Sequence, residues 1–438
     1  MPWAVIGAGV HGLSALKALR QLGVAAVAYE RTSEVGGNWN PSNPASRVYE
    51  STHTVSTKPF TQFPDFPMPK TYPDYPSARQ AFDYIRRYAS HFGLYDHIQF
   101  GCEVVSIDAH GDLLDVTVRD LLTDEVSTGR YAGVVIANGH NWQPKQPYYP
   151  GLPLFQGTVL HSAQYKSAEQ LRDRDVLVVG GGNTGCDVAV DAAAVAQSVH
   201  HSTRRGYWYS PKYAFGRPSD QIADLLLALR VPLPIRRTIF AATIRMIFGD
   251  LGRFGMAKPD HRYYETHPVV NQLLPYYVSH GLIRPRPDID QFDERYVVFA
   301  DGSSAEIDTV VFATGYRAVF PFAADELLDI ADGRPCLARQ MFSSAHPGVV
   351  VSGLIQPDSG QWALAHWQGM LAAHYAQARR DRPDEGAAFA AHVQAEADRR
   401  YAGGTTYADS TRHHFEVAHQ EYLAVLQDDI RRLEGSRC

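Results

Sequence analysis

Two stretches of the chain share one order of apolar and small residues. Residues 3–6 (W-A-V-I) and 175–179 (D-V-L-V-V) are short, mostly apolar runs, and each leads into a G-x-G-x-x-G sequence. Small and apolar residues at helical spacing follow both glycine sequences. A strand, a glycine-rich turn and a helix in this order are typical of a dinucleotide-binding βαβ unit. The pattern therefore predicts two such units, about one domain length apart.

Shorter alternating runs predict a small antiparallel sheet inside each unit. In the first unit, residues 103–109, 113–119 and 131–138 are expected to form a β-meander. In the second unit, residues 295–300 and 309–314 are expected to form a hairpin around an Asp-Gly turn. Each nucleotide-binding unit is thus predicted to carry its own small β-element.

Helical spacing of apolar residues returns in two further regions. Over residues 218–250 it predicts helices, as part of a helical insertion at about 218–280 in the second unit. Over residues 385–433 it predicts helices that are broken near Gly403 and Gly404. The expected fold is α/β, with two Rossmann-like domains, the second inserted into the first. The predicted segments are 1–165 (first domain), 166–317 (inserted domain) and 318–438 (rest of the first domain and C-terminal helices).

Composition and charge narrow the functional classes. Apolar residues make up 45% and charged residues 20% of the 438 residues, as in ordinary globular proteins. The net charge of −6 argues against a nucleic-acid partner, which would require a basic face, and weakly against anionic membranes. Since neither a signal peptide nor an apolar run long enough for a bilayer is present, we expect a cytoplasmic protein. The four cysteines form no Cys-x-x-Cys pair, so we expect neither a metal site nor a dithiol redox centre.

The first glycine motif predicts cofactor-binding residues. Its glycines allow a tight turn, close approach of a pyrophosphate and close packing of the helix on the strand. Free N–H groups at the helix N-terminus then face the phosphates. The residues expected to contact the cofactor here are Gly7, Gly9, Val10, His11 and Gly12. The following strand ends in Glu30, which is placed to accept hydrogen bonds from ribose hydroxyls.

The residues after Glu30 distinguish between the possible nucleotides. An acid at this position disfavours a 2′-phosphate, which leaves NAD and FAD. In the sequence G-G-N-W that follows, Gly37 lets the backbone run close beside a ribityl chain. Asn38 and Trp39 can line a flavin. The first unit is therefore predicted to bind FAD.

The second glycine motif predicts a different nucleotide. The residues expected to hold it are Gly180, Gly182, Asn183, Thr184 and Gly185. The strand that follows ends without an acid, and Ser202, Arg204 and Arg205 lie there instead. Two guanidinium groups bind a 2′-phosphate through charge-assisted hydrogen bonds, so NADPH is favoured over NADH. A hydride can pass to the flavin if the nicotinamide reaches it.

A sequence between the two glycine motifs resembles a family fingerprint. Residues 155–165 match F-x-G-x-x-x-H-x-x-x-Y, which looks like the fingerprint of the flavin-containing monooxygenases, class B flavoprotein monooxygenases, here of bacterial type. The G-G-N-W, F-A-T-G-Y (312–316) and G-L-I-Q-P (353–357) sequences also resemble this family, with Gln356 on the flavin side. So do residues 63–68, 254–261 and 267–271. The resemblance follows the same order along essentially the whole chain.

The resemblance implies an enzyme that binds FAD as its cofactor and consumes NADPH and dioxygen. One oxygen atom would enter a small organic substrate through a flavin hydroperoxide, most often at nitrogen or sulfur. The resemblance gives His161 a conformational role in coupling to NADP, with Tyr165 closing the fingerprint where Baeyer–Villiger relatives usually have Trp. Homodimers are common among such relatives. Ketone oxidation, an NADPH oxidase or flavin reductase, and a non-catalytic redox sensor remain alternatives.

One position departs from the family pattern. The family usually has a Thr-Asn pair near the flavin and the nicotinamide, whereas here Thr54 is followed by Val55. Because valine cannot hydrogen-bond, Thr54, Ser56 or a substrate group would have to replace the amide. His53 beside them is interpreted as a pocket wall in preference to a base. No catalytic side-chain nucleophile is expected, since the flavin supplies the chemistry.

Replacement of Arg204 and Arg205 by alanine tests the predicted 2′-phosphate site. The double variant should bind NADPH about ten- to a hundredfold more weakly, because it loses charge-assisted hydrogen bonds. Binding of NADH, which has no 2′-phosphate, should change little. Titration of the oxidised enzyme with both nucleotides measures the difference, and an equal loss for both would contradict the assignment.

Overall fold

Two mostly parallel β-sheets form the centre of the molecule, and each is covered by helices on one face and by a small antiparallel sheet on the other. Because both faces are covered, the central strands contain unbroken apolar runs. The computed structural model describes residues 1–267, 269–331, 333–407 and 413–435. Pro268, within the family-like sequence 267–271, lies outside the described residues, as does Cys438.

The N-terminal part supplies four strands of the first sheet and a separate antiparallel sheet. Its strands are β1 (Trp3–Ile6), β2 (Ala26–Glu30), β3 (Ile98–Phe100), β4 (Cys102–His110), β5 (Leu113–Asp120), β6 (Val126–Tyr131), β7 (Gly133–Ile136) and β8 (Gln143–Pro144). Its helices are α1 (Val10–Gln21), α2 (Lys58–Thr61) and α3 (Ala78–His91). Short 3-10 turns lie at Gly37–Trp39, Tyr95–His97 and Leu152–Leu154.

The middle part contains the second sheet and the helical insertion. Its strands are β9 (Thr158–His161), β10 (Asp175–Val179), β11 (Ser198–Ser202), β12 (Tyr209–Ser210), β13 (Tyr213–Ala214), β14 (Arg217–Pro218), β15 (Val269–Val270), β16 (Arg284–Arg286), β17 (Ile289–Asp293), β18 (Tyr296–Phe299), β19 (Ser304–Glu306) and β20 (Thr309–Phe312). Its helices are α4 (Asn183–Ala193), α5 (Ser219–Ala228), α6 (Leu233–Phe248) and α7 (Leu273–Ser279), with 3-10 turns at Ala168–Leu171 and Leu251–Phe254.

The C-terminal part completes the first sheet and adds long helices. Its strands are β21 (Tyr316–Arg317), β22 (Ile330–Ala331), β23 (Arg334–Pro335), β24 (Leu337–Ala338), β25 (Phe342–Ser343), β26 (Val349–Val351), β27 (Gln356–Pro357) and β28 (Glu416–Val417). Its helices are α8 (Asp325–Leu328), α9 (Trp362–Asp381), α10 (Pro383–Ala395) and α11 (His419–Gly435). The first sheet therefore joins segments from both ends of the chain.

In the first sheet, the strands lie in the order β24-β25-β26-β7-β1-β2-β3. Strand β1 pairs in parallel with β2 and β7, placing Trp3 beside Ala26 on one side and Gly133 on the other. Every residue of β1 is buried, with α1 and α9 packed together nearby. The N-terminal and C-terminal parts of the chain thus form the first domain together.

The second sheet has the order β16-β11-β10-β20-β9. Because β9 pairs with β20, Thr158–His161 lies in the second sheet, although the sequence places residues 1–165 in the first domain. The boundary at residue 165 stays a prediction. The two crossings between the domains run side by side, since β8 and β21 pair at Pro144 and Tyr316. This pairing lies next to the predicted domain end at residue 317.

Two predicted strands belong to other sheets than expected. The sequence predicts residues 131–138 as the last strand of the meander, but Gly133–Ile136 lies in the first parallel sheet and β6 completes the meander. Residues 309–314 are predicted in a hairpin, but Thr309–Phe312 lies in the second parallel sheet, and β19 pairs with β18 instead. All four residues of β7 and of β20 are buried. Such strands suit a sheet that is covered on both faces, here by helices on one face and by an antiparallel sheet on the other.

The helical predictions agree with the structure in the insertion and near the C-terminus. Helices α5 and α6 both lie within residues 218–250. The predicted break near Gly403 lies between α10 and α11. Helix α9 has no counterpart in the sequence analysis. It packs against α1, α10 and α11 and is buried along most of its length, so its sequence lacks a polar face.

A buried ion cluster attaches the C-terminal helices to the edge of the first sheet. Arg339 is only 2% exposed, and its Nε donates to Oδ2 of Asp429 at 2.7 Å. Its Nη1 donates to Glu396 at 2.8 Å and to the hydroxyl of Tyr401 at 3.0 Å. Because a buried charge needs nearby compensation, these contacts require α11 to lie against the β24–β25 turn.

Replacement of Arg339 by leucine should destabilise the protein by about 3–5 kcal/mol, because the buried Asp429 carboxylate would lose its cation. The matched control is Arg130→Leu, which removes the cation from an exposed ion pair with Asp115. The free energy of unfolding from denaturant titration gives both effects. Similar small losses of unfolding free energy in the two variants would show that the buried cluster stabilises the protein no more than an exposed ion pair does.

Candidate cofactor and active site

A cleft of about 320 Å³ opens at the carboxyl ends of β1, β2 and β7. In doubly wound sheets, ligands bind at this edge. The predicted residues that line it are Gly7, Gly9, Val10, His11, Glu30, Gly37, Asn38 and Trp39. The structure therefore brings together most of the residues assigned to FAD by the sequence.

The glycines leave room for a ligand at the floor of the cleft. Gly7 has φ +97°, and a Cβ on Gly12 would lie only 1.8 Å from the Gly7 carbonyl oxygen. A Cβ on Gly37 would come within 3.0 Å of the Gly9 Cα. Side chains at these positions would fill the space between the turn and the opposite backbone. The arrangement fits a nucleotide pyrophosphate at the N-terminus of α1.

Glu30 is held rigidly at the end of β2. Its side chain accepts hydrogen bonds from the Ala8 amide at 2.7 Å and from the Thr32 amide at 2.9 Å. The Thr32 hydroxyl also donates to it, at 2.8 Å. A carboxylate retains further lone pairs beyond these contacts, so Glu30 can still accept from ribose hydroxyls in the cleft.

The cleft contains residues that the sequence analysis missed. They include Asn138, Gly139, His140, Asn141, Trp142, Ser352, Gln361 and Trp362. Gly353, which begins the family-like sequence 353–357, also lines the cleft. Most of them directly follow β7, which pairs with β1, or β26, which pairs in parallel with β7. The ends of such strands meet at one edge of the sheet, and this rule could have located them.

Two histidines in the cleft are electrically neutral near pH 7. Burial lowers the pKa of His11 to about 3, and the proximity of His140 contributes. Burial also lowers the pKa of His140, whose Nδ1 lies 3.1 Å from the Gly353 carbonyl oxygen. The Nδ1 of His11 lies 3.1 Å from Oγ of Ser352. Both rings act here through hydrogen bonds and packing, without a positive charge.

The loop with the unusual Val55 lies outside the residues that line this cleft. Val55 is 45% exposed, and His53 is exposed with its Nδ1 2.9 Å from the Ser51 carbonyl oxygen. Ser56 shares a 2.8 Å hydrogen bond with Thr61, and the buried Oγ1 of Thr54 has no partner within the described chain. A ligand group could satisfy that hydroxyl, so its cofactor contact stays a prediction.

Gln356 also lies outside the lining of the cleft. It belongs to β27, which pairs with β28, and its backbone N–H donates to the Phe415 carbonyl at 2.6 Å. A contact between its side chain and the flavin stays a prediction.

The helical insertion reaches the Val55 loop through two side chains that the sequence analysis missed. Asp220 accepts hydrogen bonds from the amide and the hydroxyl of Thr57, at 2.7 and 2.8 Å. Lys212 lies over the ring of Tyr75, with Nζ 3.4 Å from the Thr54 carbonyl oxygen. Burial lowers the pKa of Lys212, partly opposed by Asp187. The position of the loop thus depends on the inserted domain.

The second glycine motif repeats the geometry of the first. Gly180 has φ +126°, and a Cβ on Gly185 would lie 2.0 Å from the Gly180 carbonyl oxygen. Gly182 precedes α4, with Asn183 and Thr184 in its first turn. Oδ1 of Asn183 accepts a hydrogen bond from the Val270 amide at 2.7 Å. This turn fits a second pyrophosphate.

The predicted 2′-phosphate residues differ in their availability. Arg204 is exposed and Arg205 is half-buried near the end of β11. Ser202 is 1% exposed, and its hydroxyl donates to the Pro287 carbonyl at 2.6 Å. The two arginines therefore fit the predicted role, whereas the Ser202 hydroxyl is already used inside the protein.

The fingerprint residues lie in the interior. His161, at the end of β9, is 5% exposed, and its Nδ1 accepts from the Ala163 amide at 3.1 Å. Burial lowers its pKa, so the ring is neutral near pH 7. Tyr165 is fully buried and donates to Oδ2 of Asp191 at 2.8 Å. Its hydroxyl holds α4 and does not face the cleft.

Tyrosine–carboxylate hydrogen bonds join the two domains around Tyr165. Tyr49 of the first domain donates to Asp187 at 2.8 Å, and Ser51 donates to Asp191 at 2.5 Å. The ring centroids of Tyr49 and Tyr165 are 5.4 Å apart. Since α4 begins at the second glycine motif, these contacts connect that motif to the segment leading into the Val55 loop.

Comparison with known proteins identifies the family. The model of the flavin-binding monooxygenase-like family matches residues 2–430. The chain belongs to this family. It is 30% identical to flavin-containing monooxygenase 5 of Homo sapiens, over 97% of this chain and 82% of that protein. It is 33% identical to dimethylaniline monooxygenase (N-oxide-forming) 2 of Oryctolagus cuniculus, over 81% of this chain and 69% of that protein.

Solved structures of this kind share the fold. A cyclohexanone-bound cyclohexanone monooxygenase superposes with a TM-score of 0.73 at 19% identity, covering 100% of this chain and 98% of that one. This flavin-dependent monooxygenase thus has the two nucleotide domains of the family, and it binds FAD and uses NADPH. The bacterial origin and the homodimer stay predictions.

Among the described residues of this monooxygenase, no helix is long and apolar enough to cross a membrane. Nor do three or more His, Cys, Asp or Glu side chains there form a group suited to a metal ion.

Alanine at Gly353 should weaken FAD binding at least about tenfold. Gly353 has φ +94°, and an added Cβ would lie 2.8 Å from the His11 ring, so backbone strain and a clash in the cleft would combine. Gly23→Ala is the control, because Gly23 has φ +69° but no atom within 4 Å of the added Cβ. Flavin fluorescence during reconstitution of the apoprotein measures both affinities. Equal losses of FAD affinity in the two variants would show that Gly353 has no specific role in the cofactor site.

Proposed function

We propose that this monooxygenase oxygenates a nitrogen or sulfur atom of a small organic molecule. The supporting observation is the 33% identity to a relative named for N-oxide formation. The solved ketone-oxidising enzyme shares 19% identity, which carries the fold alone. The fingerprint also ends in Tyr165, and not in the Trp of Baeyer–Villiger relatives.

We assign the binding of FAD to the cleft residues and the binding of NADPH to the second motif. Gly7, Gly9 and Gly12 accommodate the FAD pyrophosphate, and Glu30 accepts from its ribose. Around the second motif, Arg204 and Arg205 bind the 2′-phosphate of NADPH. The chemistry that bound FAD supplies is the transfer of two electrons from NADPH to dioxygen. One oxygen atom enters the substrate, and the other leaves as water with the electrons of NADPH and two protons.

The side chains of the protein act by positioning and by excluding water. His11 and His140 are neutral, so they contribute hydrogen bonds to the cleft without adding charge. The contacts of Tyr49 with Asp187 and of Asp220 with Thr57 fix the Val55 loop from both sides. A fixed, dry site favours oxygen transfer over release of hydrogen peroxide.

A second candidate is Baeyer–Villiger oxidation of a ketone, favoured by one observation. Val55 lacks the amide of the family pattern, and no other amide side chain occurs in residues 53–57. Loss of this amide alters the polar environment at position 55. That environment can determine whether the oxidant that FAD supplies is held in its protonated or its deprotonated form. A third outcome is an NADPH oxidase that releases peroxide.

Oxygen incorporation distinguishes these activities. The FAD-loaded enzyme is given NADPH and ¹⁸O₂ with a tertiary amine, a sulfide or a ketone, and each product is analysed by mass spectrometry. We expect one ¹⁸O atom in an amine oxide or a sulfoxide. Labelled ester from the ketone alone would establish the second candidate, and peroxide equal to the NADPH consumed would establish the oxidase.

Asparagine at Val55 should reduce peroxide release about two- to tenfold, since one added hydrogen bond is worth about 0.5–1.5 kcal/mol. The matched control is Val55→Leu, which changes size without adding a polar group. The ratio of hydrogen peroxide to consumed NADPH at saturating substrate gives the effect. An unchanged ratio in the Asn variant would dismiss the missing amide as a determinant of coupling.

A further inference from the structure

A second cavity of about 270 Å³ lies between the helical insertion and the C-terminal segment. Helices α5 and α6 form one wall, and residues 402–407 and 416–421 contribute to the opposite one. Asp358 and Ser359, in the loop after β27, also line it. Gly353, just before β27, and Gln361, at the end of this loop, line the FAD cleft. The segment 353–361 therefore borders both the second cavity and the FAD cleft.

The charges around the second cavity are predominantly negative. Its carboxylates are Asp220, Asp224, Asp358, Glu416 and Glu421. The one guanidinium among its lining residues is that of Arg236, which donates to the Val231 carbonyl at 3.1 Å and lies over the ring of Tyr264. The cavity thus has an excess of acceptors and negative charge.

Three of these carboxylates already have firm partners. Asp220 holds Thr57, and Glu421 accepts from the Gly403 amide at 2.8 Å. Glu416 lies between His267 at 3.3 Å and His413 at 3.5 Å. Their contacts stabilise the walls and leave little capacity for a ligand.

Asp358 and Asp224 are less occupied. Oδ1 of Asp358 accepts from the His419 amide at 2.9 Å, whereas Asp224 has only a long contact of 3.5 Å from Gln420. Asp358 is exposed to the cavity yet surrounded by protein, and burial raises its pKa. A cation in the cavity would stabilise the charged form of this carboxylate.

His419 provides an independent sign of a missing hydrogen-bond donor. It lines the cavity and is 7% exposed, and its Nδ1 has no partner within the described residues. Burial lowers its pKa, although Asp358 and a hydrogen bond to the Gly360 backbone oppose this. Since the ring is neutral near pH 7 and bonds Gly360, Nδ1 is a vacant acceptor. An N–H group of a ligand would satisfy it.

The remaining surface suits the carbon skeleton of a small molecule. Phe60, Leu227, Leu233 and Tyr407 contribute apolar surface to the cavity. Aromatic and apolar walls next to carboxylates are typical of sites for organic ammonium groups. A simple metal cation would gain nothing from such walls.

We propose that the second cavity binds an ammonium group of the substrate through Asp358, Asp224 and His419. The atom that is oxygenated is then a different one in the same molecule, a sulfide sulfur or an unprotonated nitrogen, because a protonated nitrogen has no lone pair to accept oxygen. The proposal rests on the proposed function, and it adds that the substrate has two functional groups.

A matched pair of sulfides tests the ammonium site in the FAD-loaded enzyme. 2-(Methylthio)ethylamine carries an ammonium group, and methyl propyl sulfide is its uncharged isostere. The wild-type enzyme should oxygenate the ammonium compound with about tenfold or higher kcat/KM, as expected for a hydrogen-bonded charge pair. Asp358→Asn should reduce this preference about tenfold or more, mainly through KM. Asp224→Asn, on the opposite wall, should reduce it in the same direction.

Asp112→Asn is the matched control, because Asp112 lies exposed in the turn between β4 and β5, far along the chain from the cavity residues. It should leave the preference unchanged. Equal kcat/KM for the two sulfides in the wild-type enzyme would overturn the proposal, as would an unchanged preference in both cavity variants.

Calorimetric binding of 2-(methylthio)ethylamine to the oxidised enzyme without NADPH separates this proposal from the proposed function. Binding that Asp358→Asn weakens supports the ammonium site even if neither sulfide is oxygenated, in which case the proposed function fails alone. Absence of saturable binding in an enzyme that does oxygenate methyl propyl sulfide overturns the ammonium site alone.

Discussion

Close contact between a glycine turn and the helix that follows it is the constraint on which both nucleotide sites depend. In each site, the carbonyl oxygen of the first glycine occupies the position that a Cβ on the third glycine would need, at 1.8 Å for Gly12 and 2.0 Å for Gly185. This contact brings the helix N-terminus to the carboxyl edge of the sheet, where its free N–H groups can meet a pyrophosphate. The rest of each domain supports this approach.

The link between the domains is built from hydrogen bonds between polar groups, most of them buried or half-buried. Tyr49 and Ser51 of the first domain contact Asp187 and Asp191 on α4, and Tyr165 adds its hydroxyl to Asp191. Burial raises the pKa of Asp187, while the hydrogen bonds from Tyr49 and Asn271 oppose that shift. A network of this kind favours one relative arrangement, because any shift would leave buried polar atoms without partners. The fingerprint residues thus contribute to domain geometry.

In this monooxygenase, the backbone shapes the cofactor cleft, whereas side chains determine the character of the second cavity. The parts shared by the family, the glycine turns and the strand ends, form the cofactor cleft. The insertion and the C-terminal segment surround the second cavity, and their side chains determine its charge. Differences in substrate preference can arise there without disturbing the glycine turns, since Asp224 and Asp358 lie outside both turns.

Local sequence patterns determined the two nucleotide units, the helices of the insertion and the glycine and acid positions of the first cleft, because turns and helices depend on neighbouring residues. They did not determine which sheet received Gly133–Ile136 or Thr309–Phe312, since a buried apolar run is equally compatible with several strand partners. Nor did they show that His140 and Ser352 complete the cleft, that the Ser202 hydroxyl donates to a carbonyl of the protein, or that Asp358 and His419 share a cavity. These facts depend on contacts between residues far apart in the chain, and only the packing of the whole molecule selects such contacts.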